Sequence, residues 1–238
     1  MFGQENQFYP TPKGLLKKAL KPWEFTFKEH VGRNREHSYD RTVYKLGDRR
    51  ILEPSAGKGD ICDFIKEDRS AKKSKLKCIE IDPELQEILK GKGYPVISDD
   101  FLSYEEDYYF DMVILNPPFR NGAEHVLKAW DVLKLGGDVV AIINAETVLN
   151  PCTAKRAQLL KLIEDYGRYE IVKDAFKGED VLRDANVDVA IVWLEKPRVE
   201  NPFQFSFDGE KGFRCRLNNK CRVSSRCNSV KRQDRSND

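Results

Sequence analysis

Met112-Val113-Ile114-Leu115-Asn116-Pro117-Pro118-Phe119 is the stretch that decides the fold, because an apolar run ends in a rigid polar turn. The four apolar residues predict a buried strand. The two prolines fix two successive φ angles and remove two backbone donors, so the turn is stiff. The Asn116 amide and the Pro117 carbonyl are therefore acceptors held in place, with the Phe119 ring beside them. This combination suits binding a planar amine.

Short β-rich runs alternate with helical stretches on both sides of this turn. The patterns predict strands at 50–53, 76–81, 95–98, 110–115, 138–143, 169–173 and 187–193. They predict helices that begin at 61–65 or span 83–89, 122–134 and 154–166, with Gly136-Gly137 marking the end of the third. This alternation indicates an α/β fold with a doubly wound, mostly parallel, seven-stranded sheet. A non-helical loop at 177–186 joins the last two strands, so the last strand is expected to be antiparallel.

Three regions follow from this pattern: an N-terminal segment at 1–48, a core at 49–196 and a C-terminal extension at 197–238. The N-terminal segment has one predicted helix, from Lys13 to Leu20, followed by mixed aromatic and basic residues over 24–48. Such mixing can serve contacts to bases. A surface connection with a few anchoring rings is the commoner explanation.

The composition predicts a soluble protein with one sizeable core. No apolar stretch approaches the roughly 20 residues needed to cross a bilayer, and the first residues lack a charged-then-apolar leader. We therefore expect a cytoplasmic protein with no membrane partner. Cys62, Cys78 and Cys152 occur singly in apolar surroundings, which predicts buried reduced thiols.

The formal net charge of +2 is unevenly distributed along the chain. Residues 211–238 carry nine Lys and Arg against two Asp, a balance of +7, so residues 1–210 carry −5. A basic tail can provide salt-sensitive attraction to phosphates, although a poorly ordered extension is the simpler interpretation. The tail cysteines recur at six-residue spacing without the close pair of a zinc site, so we expect no metal; they are Cys215, Cys221 and Cys227.

A glycine-rich turn, Leu-Glu-Pro-Ser-Ala-Gly-Lys-Gly at 52–59, joins the first core strand to the first core helix. Its glycines let the backbone approach a ligand at the carboxyl edge of the sheet. A dinucleotide fingerprint would require a third glycine where Cys62 stands. Glu53 beside the turn disfavours a pyrophosphate and favours a cation that bears sulfonium and ammonium groups. These residues indicate S-adenosylmethionine.

Two later strand ends support this assignment. Glu80 ends the second strand about 20 residues after the glycines, the separation typical of a carboxylate that binds ribose hydroxyls. Solvated strand-end charge is the alternative for Glu80. Ile81 could cover one face of the cofactor's adenine. Asp100 offers a carboxylate to the adenine amino group, and Phe101 a ring to its other face.

Together these stretches resemble the class I S-adenosylmethionine-dependent methyltransferases, and among them the adenine-N6 DNA amino-methyltransferases. Residues 52–59 are similar to the family's cofactor loop, 80–83 to its ribose-binding motif and 100–101 to its adenine-binding motif. Asn-Pro-Pro-Phe at 116–119 is similar to its catalytic tetrapeptide, and Phe-Tyr-Pro-Thr-Pro at 8–12 to the segment that precedes the cofactor loop. The resemblance covers about residues 7–196.

The resemblance implies roles for individual residues. The implied cofactor-binding residues are Tyr9, Thr11, Pro12, Glu53, Pro54, Ala56, Gly57, Gly59, Glu80, Ile81, Asp100, Phe101 and Asn116. The implied catalytic residues are Asn116, Pro117, Pro118 and Phe119. Asn116 and Pro117 would accept hydrogen bonds from the target amine while Phe119 stacks on the base. The family often places a second stacking ring where Phe176 stands, and core packing is the alternative there.

The substrate stays open at this point. Adenine in DNA is expected, and adenine in RNA is the nearest rival. Protein glutamine methyltransferases share the Asn-Pro-Pro turn but commonly end it in Tyr. A cofactor-binding or nucleic-acid-binding module without turnover is the non-enzyme alternative. Family members usually carry a sizeable target-recognition domain, and only 197–238 follow the last strand. Either recognition is modest, or another segment or a separate specificity subunit provides it.

Overall fold

The computed structural model describes residues 10–31, 37–68, 70–71, 75–105, 109–176, 187–198, 203–204 and 216–217. The chain divides into two units, Met1–Arg198 and Val199–Asp238. In the second unit, strands β10 (Phe203–Gln204) and β11 (Arg216–Leu217) pair antiparallel. The other residues of the predicted basic extension beyond Arg198, including the three tail cysteines, lie outside the described residues.

A seven-stranded sheet is the centre of the first unit. Its strands are β3 (Arg50–Glu53), β4 (Lys75–Ile79), β5 (Val96–Ser98), β6 (Phe110–Leu115), β7 (Leu133–Asn144), β8 (Gly167–Val172) and β9 (Val189–Glu195). The strand order is β5-β4-β3-β6-β7-β9-β8. Six of the seven strands run in one direction, and β9 runs opposite to them, pairing antiparallel with both β7 and β8. The predicted α/β fold with an antiparallel last strand is confirmed.

Helices cover both faces of this sheet because its central strands are apolar on both sides. The helices are α1 (Lys13–Ala19), α2 (Asp60–Glu67), α3 (Pro83–Gly91), α4 (Gly122–Asp131), α5 (Glu146–Leu149) and α6 (Ala154–Tyr166). Val113, Leu115 and Ile143 share one core cluster with residues of α4 and α6. The alternate residues Met112 and Ile114 share a second cluster with residues of α1 and α2. This period-two division is what a strand buried on both faces requires.

The glycine pair after α4 differs from its prediction. Gly136 and Gly137 lie inside β7, which begins at Leu133, and they do not mark the end of the helix. The register shifts here, since Phe110 pairs with Leu133 but Met112 pairs with Asp138. Gly136 has φ +72°, and a Cβ on Gly137 would lie 2.8 Å from the Leu133 side chain. The glycines therefore serve an irregularity in the strand, where backbone packs closely.

The N-terminal segment contains a helix that packs into the core and a hairpin that does not. Leu16 and Leu20 are fully buried, and the Trp193 indole donates to the Ala19 carbonyl at 2.7 Å. Strands β1 (Glu24–Val31) and β2 (His37–Tyr44) then form a separate antiparallel hairpin. The sequence patterns did not predict these two strands, and the hairpin carries the exposed rings of Phe25, Phe27 and Tyr39. No described helix is long and apolar enough to span a membrane.

Candidate active site

The predicted site residues follow four neighbouring strands of the sheet. The glycine-rich turn follows β3, Glu80 follows β4, Asp100 follows β5 and Asn116 follows β6. These four strands are parallel and adjacent in the order β5-β4-β3-β6, so their carboxyl ends share one edge. Open α/β sheets bind ligands at this edge. The topology thus brings together residues that are up to about 60 positions apart.

Glu80 fastens the glycine-rich turn to the neighbouring strand. Its carboxylate accepts from the Gly57 backbone N–H at 2.6 Å and from the Asp82 N–H at 3.0 Å. The Ala56 N–H donates to the Ile79 carbonyl at 3.1 Å. Gly57 and Gly59 have φ angles of +55° and +88°, which an L side chain rarely adopts. Because a carboxylate has about four acceptor positions, Glu80 can still accept from a ligand hydroxyl.

The Glu53 carboxyl lies beneath the turn and is 2% exposed. The Cys62 thiol donates to its Oε2 at 2.8 Å. Burial raises the pKa of Glu53 well above its usual range, although the bond from Cys62 opposes this shift. Its predicted pairing with a cationic ligand stays a prediction. Cys62 and Cys78 are buried free thiols as expected, whereas Cys152 is exposed, so its predicted burial was wrong.

Ile81 is 70% exposed, the largest value among the exposed large apolar side chains of the described residues. Its position next to Glu80 suits covering a flat apolar ligand surface. Asp100 is half-buried, and its carboxylate accepts from the Leu102 N–H at 3.0 Å. The Phe101 ring is buried in the core and lies 6.0 Å from the His125 ring. Stacking of Phe101 on a base stays a prediction, and it would require this ring to change its packing.

Asn116 is held by a residue from the far end of the sequence. Its Nδ2 donates to the Thr11 Oγ1 at 3.0 Å, across 105 positions of chain. Thr11 is 9% exposed and precedes Pro12, which is buried and caps the start of α1 with φ −62°. Tyr9 lies outside the described residues. The segment at 10–12 and the turn after β6 therefore meet, and the predicted contact of Thr11 and Pro12 with the cofactor stays a prediction.

The rest of the tetrapeptide forms an apolar corner. Pro117 is buried, Pro118 is exposed and Phe119 is half-buried at the start of a short 3-10 helix. The Phe176 ring packs edge-on against the Phe119 ring, with centroids 6.0 Å apart. Phe176 is fully buried, so it supports Phe119 from the core side. A direct contact between Phe176 and a substrate stays a prediction.

Asp60 is a site residue that sequence reasoning missed. Its Oδ2 accepts from the Thr11 backbone N–H at 3.3 Å, and it is the first residue of α2. Burial raises the pKa of the Asp60 carboxyl, and the hydrogen bond from Thr11 opposes this shift. The only sequence signal was an acidic residue in the first turn of a helix directly after the glycines.

The hairpin is rooted at the opposite edge of the sheet. Helix α2 runs from the carboxyl edge to the opposite edge, where it ends at Glu67 and is followed by Asp68. The Tyr44 N–H, at the end of β2, donates to the Asp68 carboxylate at 2.5 Å. Phe25, Phe27 and Tyr39 are all exposed on this hairpin. A shallow cavity of about 440 Å³ lies at the same edge, lined in part by Trp23, Arg49 and Arg168. Neither feature joins the residues at the carboxyl edge.

The strand order and this carboxyl-edge site define a class I S-adenosylmethionine-dependent methyltransferase. A family model described as the methyltransferase small domain matches residues 48–173, which are 126 of the 238 residues. The chain belongs to this family.

A curated relative is the type II methyltransferase M.CvrRI of Paramecium bursaria Chlorella virus XZ-6E. It is 38% identical over 85 residues, which are 34% of this chain and 22% of the relative. The chain thus matches less than a quarter of that protein's length.

Solved structures of methyltransferases align with part of the chain. The N-methyltransferase NodS of Bradyrhizobium japonicum WM9 has a TM-score of 0.43 and 15% identity over 64% of this chain and 88% of that chain. An rRNA methylase of Streptococcus thermophilus has a TM-score of 0.43 and 16% identity over 65% of this chain and 90% of that chain. At these values the similarity carries no argument.

S-adenosylmethionine is the cofactor. The residues at the carboxyl edge fit this cofactor. The Glu80 carboxylate can accept hydrogen bonds from ribose hydroxyls, and the neighbouring Gly57 and Gly59 let the backbone approach a ligand closely. Glu80 is only 8% exposed yet points at this turn, and the exposed Ile81 follows it. Glu80, Ile81, Asp100 and the backbone of the turn are the residues expected to hold the cofactor.

Proposed function

We propose that this enzyme methylates the N6 amino group of adenine in DNA. The observation that carries the proposal is the Asn116 amide, held at 3.0 Å by Thr11 at the carboxyl end of β6, beside the glycine-rich turn. The oxygen of an amide fixed there can accept a hydrogen bond from the N–H of an exocyclic amine. The Phe119 ring beside it suits a flat base.

The chemistry requires the amine to become a better nucleophile. An exocyclic amine conjugated to a purine donates its lone pair to the ring. Two acceptors, the Asn116 Oδ1 and the Pro117 carbonyl, would draw the nitrogen toward a tetrahedral shape and orient that lone pair. When bound, the cofactor would supply the electrophilic methyl group and leave as the thioether once the carbon–sulfur bond breaks, and the methylated nitrogen would then release its extra proton to solvent. The proposed chemistry does not require His125, which is buried and whose Nδ1 bonds the Asn121 carbonyl at 2.9 Å.

A base in a duplex must leave the stack before it can reach such a site. Flipping costs a few kcal/mol, part of which stacking on an aromatic ring returns. Phe119 is half-buried and is backed by Phe176, so its ring is fixed on one side. The similarity to a viral type II methyltransferase supports the same assignment.

The test incubates the full chain with cofactor labelled in the methyl group, together with separate pools of DNA, RNA and protein. We expect label in DNA, recovered as N6-methyladenine after hydrolysis. Asn116→Ala should lower the rate by at least about 100-fold, the typical loss for one such group, with cofactor affinity near normal by calorimetry.

Label in RNA or in protein glutamine with none in DNA would overturn the choice of substrate. Loss of cofactor affinity in Asn116→Ala, in proportion to the loss of rate, would instead contradict the division of roles. An exposed asparagine offers the matched control. Asn150→Ala, after α5, should retain the rate.

A further inference from the structure

The hydroxyl of Thr11 lies where it can set the orientation of the Asn116 side chain. Asn116 Nδ2 donates to Thr11 Oγ1 at 3.0 Å, and Thr11 is 9% exposed. The torsion that rotates a side-chain amide is broad and roughly two-fold. A hydrogen bond to one end of the amide fixes that rotation, and it directs the Oδ1 to the side away from Thr11.

The backbone of Thr11 is itself fixed on three sides. It stands between Pro10 and Pro12, and proline restricts both its own φ and the residue before it. The Thr11 N–H donates to the Asp60 Oδ2 at 3.3 Å. The Pro12 carbonyl accepts from the Leu15 and Leu16 N–H groups at 3.0 and 3.1 Å. The hydroxyl is thus presented by a rigid segment.

Asp60 connects this segment to the glycine-rich turn. It directly follows Gly59 and begins α2, and it is half-buried. Two hydrogen bonds therefore connect the residue after the turn to Asn116, one from Thr11 to Asp60 and one from Asn116 to Thr11. The three residues come from the N-terminal segment, the first core helix and the turn after β6.

We propose that Thr11 is a positioning residue that orients the Asn116 amide toward the target amine, and that Asp60 anchors Thr11 for this purpose. The proposal rests on the proposed function, in which Asn116 contacts the reacting amine. If Thr11 only contacted the cofactor, losing its hydroxyl would weaken cofactor binding. If Thr11 positions Asn116, losing its hydroxyl lowers kcat instead.

The test compares Thr11→Val and Thr11→Ser with the wild type. Valine keeps the shape but cannot hydrogen-bond, so kcat should fall about 10- to 100-fold, since small misplacements of reacting groups cost this much. The dissociation constant of the cofactor should change less than about threefold, because the lost bond between Oγ1 and Nδ2 is not a contact with the cofactor. Serine keeps the hydroxyl and should restore most of kcat.

A matched control is available within the fold. Thr147 is 1% exposed, and its Oγ1 has no hydrogen-bond partner among the described residues. Thr147→Val should leave kcat unchanged, which separates the loss of a buried hydroxyl from the loss of this particular one. Thermal melting of each variant checks that it is folded.

A second measurement needs no methyl acceptor. In ¹⁵N-labelled protein, the side-chain amide resonance of Asn116, assigned by its loss in Asn116→Ala, should shift in Thr11→Val and stay in place in Thr11→Ser. An unshifted resonance in Thr11→Val overturns the proposal. So does a weaker cofactor affinity with full kcat at saturating cofactor. A wild type that methylates nothing refutes the proposed function instead, and the resonance still tests the positioning.

Discussion

At the scale of the residue, carboxyl groups at one edge of the sheet stand in different environments. Glu80 accepts two backbone N–H bonds, whereas Glu53 is buried with a thiol donor. Desolvation favours the neutral form of Glu53, and so its pKa is raised. The sequence alone gives both residues the same charge.

The raised pKa of Glu53 predicts how stability depends on pH. The unfolded chain releases this proton near its ordinary pKa of about 4.5, whereas the folded protein keeps it to higher pH. The stabilising contribution is therefore full below that value and is lost as pH rises toward the folded pKa, by up to about 1.4 kcal/mol per pH unit. Glu53→Gln keeps an acceptor for Cys62 and should flatten this slope.

Urea denaturation of the cofactor-free protein at several pH values from 5 to 8 measures the effect. The free energy of unfolding of Glu53→Gln relative to the wild type should increase with pH. Glu164→Gln, on the exposed part of α6, is the control and should keep the slope of the wild type. Equal slopes for Glu53→Gln and the wild type would show that Glu53 is ionised in the folded protein.

At the scale of the element, the connection from β3 to α2 is the most constrained part of the site. Gly59 has φ +88° and caps α2, and a Cβ there would lie 2.9 Å from a methyl carbon of Leu89 in α3. The backbone angle disfavours a side chain here, and the close contact would require the Leu89 side chain to shift. The turn is therefore fixed by α3 as well as by Glu80.

Gly59→Ala should reduce the free energy of unfolding by about 1–3 kcal/mol, the cost of a non-glycine residue in this region. Gly91→Ala is the matched control, because no heavy atom lies within 4 Å of its added Cβ in the last turn of α3. It should be neutral or stabilising by about 0.4–1 kcal/mol. Denaturant titration measures the free energy of unfolding of both variants. Equal values for Gly59→Ala and Gly91→Ala would mean that the turn relaxes to accommodate alanine.

The elements also show where sequence patterns succeed. β6 and α6 have the predicted bounds, because β6 is a short apolar run that ends at Asn116-Pro117 and α6 begins after Thr153 and ends before Gly167. The hairpin at 24–44 was missed because its alternating aromatic residues are exposed, so no burial pattern marked it. Gly136-Gly137 was misread because a glycine pair ends a helix and admits a strand irregularity equally well.

At the scale of the whole molecule, the formal charge is negative over the body of the chain (residues 1–210) and positive over its tail (residues 211–238). Residues 1–210 carry −5 and residues 211–238 carry +7. An acidic body repels DNA, so phosphate contacts by the tail would contribute to affinity and to its salt dependence.

Deleting 211–238 should flatten the dependence of log Kd for DNA on log salt concentration, because fewer counterions are released on binding. Fluorescence anisotropy at several salt concentrations measures the slope. A full-length variant with Lys231, Arg232 and Arg235 replaced by Gln should give an intermediate slope. A slope that the deletion leaves unchanged would show that the tail makes no contact with phosphates.

The sequence by itself determined the alternation of strands and helices, the parallel sheet and the turns that follow its strands. These depend on local periodicity and on glycine and proline, whose backbone preferences act over a few residues. Only the tertiary structure decided that Thr11 bonds Asn116, that Asp60 holds Thr11 and that Glu53 is buried. These features depend on how elements that are far apart in the sequence pack together. A local sequence pattern cannot predict which side chains on different elements come into contact.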